Sequence, residues 1–115
     1  MTDKELLLLA VKAAGIEHFI SENKYIWEIR TSIPADGYYK QEDDSRNWNP
    51  LINDGDALRL AVNLHINLDF ESYVVTAYIH DLRVVEEFTS KSVTLVQAAR
   101  RAIVRAAAEI GRSMT

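Results

Sequence analysis

Three arginines, Arg101, Arg105 and Arg112, recur at helical spacing near the C-terminal end, with Arg100 and Lys91 close by. Guanidinium groups along one stripe of a helix grip phosphates, so the pattern points to contact with nucleic acid. The same segment carries Leu95, Ala99, Ala102, Ile103, Ala106 and Ile110 on its other face, which reads the arginines more simply as the solvated side of a core helix. Glu109, four residues after Arg105, offsets part of the stripe, and no aromatic is interleaved to stack on bases. Nucleic-acid contact is therefore the alternative reading.

Asp54 and Asp56, with Asp69 further on, have the donor chemistry of a hard-cation site. The further acidic positions and distal Glu of an EF-hand loop do not follow, and the same carboxylates suit the positive first turn of a helix. His18, His65 and His80 are scattered, without the i, i+4 pairing that marks a zinc helix. There is no cysteine, no Gly-x-Ser-x-Gly elbow, no phosphate loop and no dinucleotide fingerprint. These features predict a non-enzymatic chain with no metal and no cofactor, and an enzyme is the third option, with no substrate class attached.

Tyr38 and Tyr39 stand side by side between Pro34 and Asn47, a stretch with a Pro, a Gly, the acidic run Glu42-Asp43-Asp44 and no usable periodicity. Tyrosine is enriched where surfaces bind partners, so this pair joins the three arginines as the candidate binding residues. The other aromatics, Tyr25, Trp27, Trp48, Tyr73 and Tyr78, read mainly as core.

These groups need elements to hold them. Thr2 and Glu5 have capping-box spacing ahead of an apolar run that ends at Gly15, predicting an N-terminal helix. Ser21 to Lys24 reads as a turn and residues 24–31 as a strand of period two. Trp48 anchors the next loop on the core, Pro50 stiffens it, and Gly55 supplies unusual backbone geometry. Asn53, Asp54 and Asp56 cap a short helix. Residues 66–70, 73–79 and 83–88 read as an antiparallel meander, with His80-Asp81-Leu82 as a tight connection. Thr94 and Gln97 form a second capping box, opening a helix to about Ile110 with Gly111 as its left-handed stop.

The 115 residues, with nearly half apolar, suit one domain, 1–115, of α+β class. We expect a layered α/β sandwich in the order α, β, α, β, β, β, α: a mainly antiparallel four-stranded sheet, with the first and last helices as chief packing partners. The net charge of -4 argues against a surface built wholly for phosphate backbones. No apolar run approaches the roughly 20 residues needed to span a bilayer, and acidic residues flank an N-terminal apolar stretch of only about six residues, unlike a secretory signal, so neither secretion nor a membrane role is expected. The absence of cysteine suits a reducing compartment. An unpaired sheet edge or apolar helix face leaves a homodimer open.

Two stretches are distinctive together: Trp48-Asn49-Pro50-Leu51 through Asp54-Gly55-Asp56-Ala57-Leu58-Arg59-Leu60-Ala61-Val62, and Ala98-Ala99-Arg100-Arg101-Ala102-Ile103-Val104-Arg105 on to Gly111. With Met1-Thr2-Asp3-Lys4-Glu5-Leu6-Leu7 and Ala13-Ala14-Gly15, they resemble the small phage and prophage proteins of the phage ABA sandwich domain family. The resemblance implies sheet and helices in layers, a phage or prophage origin and action in the bacterial host's cytoplasm. It implies no activity, and the family has no established catalytic or binding residues to carry across. The reading that joins these strands is a phage or prophage accessory protein that binds a host or phage protein.

Overall fold

A computed structural model describes residues 1–32, 45–88 and 93–114. Among the described residues three helices alternate with two three-stranded antiparallel sheets. Helix α1 spans Asp3–Ala14. The Thr2 hydroxyl accepts from the Glu5 N–H at 3.2 Å while the Glu5 carboxylate accepts from the Thr2 N–H at 3.3 Å, closing the box read from the sequence. The Thr2 N–H and then its hydroxyl hold the Glu5 carboxyl below its ordinary pKa. Gly15, at φ 68°, ends the helix in the left-handed conformation that a Cβ disfavours.

Strands β1 (Phe19–Glu22), β2 (Trp27–Thr31) and β3 (Arg46–Asn47) form the first sheet, in that order. The expected strand 24–31 thus starts three residues later. Its turn lies at residues 23–26, where the Asn23 side chain accepts from the Tyr25 and Ile26 N–H groups at 2.8 and 2.9 Å. The additional strand β1 occupies residues read partly as turn. Only Ser21 of its four residues is even partly buried, so no alternation of polarity marks it.

Helix α2 spans Asp54–Leu64, and strands β4 (Asn67–Phe70), β5 (Val74–Ile79) and β6 (Leu82–Glu87) form the second sheet in sequence order. The tight connection from β5 to β6 is one residue shorter than expected, the two-residue turn His80-Asp81, because Leu82 already pairs with Ile79 as the first residue of β6. The four-stranded sheet is not what forms. Strand β2 is paired on both sides, with Ile29 opposite Ile20 of β1 and Arg30 opposite Asn47 of β3, so it has no edge left to offer the meander.

Helix α3 spans Leu95–Ser113, opened by the Thr94/Gln97 box. Its buried residues, which include Ala102, Ile103, Val104, Ala106, Ala107 and Ala108, run most of the way round the helix and leave mainly an arginine stripe outside. Helix α1 is its principal packing partner, and β5, β6 and α2 also pack on it. Gly111 corrects the expected stop: it lies inside the helix, which continues to Ser113. A Cβ there would stand 2.1 Å from the Leu9 backbone oxygen, so its glycine answers to the approach of α1 rather than to a left-handed cap. One apolar cluster draws on all three helices and both sheets, including Leu7, Ile29, Trp48, Leu60, Val75 and Ile103.

Candidate functional site

The loop that opens α2 is organised by one buried carboxylate. Asn53 caps the helix, its side chain accepting from the Asp56 N–H at 2.8 Å. Asp56 itself is 0% exposed and carries three partners. Arg46 Nη1 and Arg59 Nη2 donate to its Oδ1 at 2.7 and 2.8 Å, and the Asn49 N–H donates to Oδ2 at 3.0 Å. Burial pushes this carboxyl up, but the Asn49 N–H and the two guanidinium groups outweigh it and hold the pKa below the ordinary value. Trp48 and Pro50 are buried beside it, as the sequence suggested for Trp48. Gly55 differs from expectation: it sits in the first helical turn, where a Cβ would lie 3.0 Å from the Arg59 guanidinium nitrogens. The missing side chain leaves room for Arg59 to fold back onto Asp56.

Asp54 is exposed and pairs with Arg100 at 2.6 Å, while Arg100 Nε also donates to the Leu51 carbonyl at 2.7 Å, tying α3 to the same loop. Asp54 and Asp56 therefore face different arginines, and Asp69 is exposed on β4. Among the described residues no three histidines and carboxylates gather at one point.

The arginine stripe of α3 is occupied by carboxylates. Arg101 meets Asp3 of α1 at 3.0 Å and Glu86 of β6 at 3.7 Å. Arg105 meets Glu86 at 2.6 Å and donates to the Val85 carbonyl at 3.0 Å. Arg112 pairs with Glu109 at 3.2 Å. Glu109 thus answers Arg112 rather than Arg105, and the acidic partners of the other two come from distant elements that spacing along one helix does not reveal. Arg101, Arg105, Glu86 and Glu109 line a cleft of about 340 Å³ with Met1, Leu6 and Val84. Tyr38, Tyr39, the acidic run 42–44 and Lys91 lie outside the described residues. Tyr25 and Tyr73, read as core, are exposed.

A surface missed in the sequence lies between α2, β4 and the start of α3. Leu58, Phe70, Leu95 and Val96 line an open groove of about 250 Å³ floored by Ala57, Ala99 and Ile103. Leu58 is 64% exposed and Phe70 53%, and Val62, one turn beyond Leu58 on α2, is 66% exposed. Leu95, expected in the core, opens onto this groove because it stands at the first residue of α3, at the end of the packed region. The signal was present: α2 carries apolar residues on two faces, Ala57-Leu60-Ala61 and Leu58-Val62, and one core covers one of them.

No helix among the described residues is long and apolar enough to cross a membrane. Comparison of the chain with protein-family models, with curated proteins and with solved structures finds no match.

Proposed function

We propose that this chain is a non-enzymatic accessory protein of a phage or prophage, working in the bacterial cytoplasm by holding a host or phage protein in the groove between α2 and α3. The observation that carries the reading is the exposed apolar set Leu58, Phe70, Leu95 and Val96, drawn together from three elements. Contiguous apolar surface is costly to leave in water and is the usual mark of a protein contact. Its walls are two helices, a shape that receives an amphipathic helix presenting apolar side chains at i, i+3 and i+4. The Asp54–Arg100 pair supplies a polar rim. Under the same reading the chain is a phage ABA sandwich domain, layered with α3 between the second sheet and the other helices. Arginines that already hold carboxylates favour a protein partner over a phosphate backbone, since a phosphate must first displace those anions.

The test is capture from lysate of infected or lysogenic host cells by immobilised wild type and by a Leu58→Glu/Val96→Glu double variant shown by circular dichroism to be folded. A protein retained by wild type and lost from the variant is the expected result. Equal capture by both, or none by either, overturns the groove as the binding site.

A further inference from the structure

Strand β6 is the outer strand of its sheet and has no strand beyond it among the described residues. Which of its backbone groups look outward follows from the ladder. Ile79 faces Leu82 across the two-residue turn, and the Phe88 N–H donates to the Tyr73 carbonyl at 3.0 Å. Even-numbered residues therefore bond inward to β5, and Arg83, Val85 and Glu87 direct their N–H and C=O groups outward. The position of Arg105, which reaches the Val85 carbonyl from outside that ladder, agrees with this alternation. The side chains of the same three residues are exposed on one face of the strand.

We propose that the outer edge of β6 pairs antiparallel with β6 of a second copy of this chain, about a twofold axis at Val85. Hydrogen bonding alone would accept any extended strand, but the order of side chains selects a second copy. Directly opposite residues of an antiparallel pair share a face, and a twofold axis makes each contact occur twice. Centring on Val85 sets Arg83 opposite the second copy's Glu87 and Glu87 opposite its Arg83, flanking a valine–valine contact. Cation, apolar, anion becomes its own complement when the strand is reversed. Centring on Val84 sets Arg83 against Val85 and matches neither charge; centring on Glu86 sets that carboxylate against itself. The Val85 register also aligns three pairs of outward backbone groups, and joins two three-stranded sheets into one of six. Arg105 gives up the Val85 carbonyl in exchange, keeping Glu86 at 2.6 Å as its partner. This surface is separate from the groove, which adjoins β4 at the opposite edge of the sheet.

Sedimentation equilibrium over a wide concentration range decides it, using the full chain, the charge reversals Arg83→Glu and Glu87→Arg, and the double swap R83E/E87R. Wild type should show a reversible monomer–dimer equilibrium. Each single reversal makes both cross-strand pairs repulsive and should weaken dimerisation roughly tenfold. The double swap should bring it back to near wild type. Positions 83 and 87 are roughly 13 Å apart along one extended strand, so recovery cannot arise within a chain. A monomer throughout, a dimer indifferent to the single reversals, or a double swap that fails to recover while folded each overturns the proposal. The Leu58→Glu/Val96→Glu variant should dimerise like wild type, which separates failure here from failure of the groove.

Discussion

Two carboxylates in this protein each hold two arginines, and they do opposite kinds of work. Asp56 is fully enclosed and spends both oxygens on Arg46, Arg59 and the Asn49 N–H. The Glu86 side chain is 17% exposed and meets Arg105 and Arg101, whose own side chains are 41% and 40% exposed. A charge removed from water is costly unless it is fully partnered, so the Asp56 cluster tolerates one arrangement of the loop and no other. Where water competes for each ion, pairing contributes little and partners exchange readily. The first cluster shapes the chain; the second is a surface that can be rearranged, as pairing through β6 requires of Arg105.

Removing the buried carboxylate should produce the largest effect. Asp56→Ala takes from Arg46 and Arg59 the buried carboxylate they share and unties the Asn49 N–H, and should cost about 2 to 3 kcal/mol in urea denaturation. A loss under about 1 kcal/mol would break the contrast by showing that water replaces the carboxylate.

Acid should sharpen the same contrast. The Asp56 carboxyl sits below its ordinary pKa in the folded chain, so unfolding lets it take up a proton that the native state refuses. Its stabilisation is complete above the unfolded value of about pH 4 and is lost as pH falls through the lower folded value. Stability measured from pH 6 to pH 2 should fall more steeply for wild type than for Asp56→Asn. Parallel curves would remove Asp56 as the source of the acid dependence.

The smallest effect belongs to the exposed cluster. Glu86→Gln should cost at most about 1 kcal/mol, because its two arginines remain hydrated and Arg101 keeps Asp3 as a partner. Fluorescence anisotropy of labelled DNA and RNA should show no salt-sensitive binding by wild type that an Arg101→Ala/Arg105→Ala variant loses. Salt-sensitive binding that does weaken in that variant would make the stripe a phosphate grip and turn the reading toward nucleic acid.

The local parts of this arrangement were open to reading because their causes are local. A cap hydroxyl and a carboxylate or amide three residues on meet through one turn of backbone, as at Thr2/Glu5 and Thr94/Gln97. Gly15 and the His80-Asp81 turn follow the same logic. The arginine stripe was visible as a stripe, but Asp3 and Glu86 reach it from the far end of the chain and from another sheet. The groove depends on which of two apolar faces of α2 the core covers, a matter of packing rather than periodicity.

The sequence by itself determined the α+β class, the three helix starts and the β5–β6 hairpin, since each rests on interactions spanning a few residues. Tertiary structure alone decided that β2 joins β1 and β3 rather than the meander, because that choice depends on which strand edges remain unpaired. It also decided that Gly111 serves the contact with Leu9 instead of a helix stop, and that Asp56 is enclosed while Glu86 keeps partial access to water. Whether a backbone must come close, or a charge must be partnered, is settled by what other parts of the chain bring to that point in space.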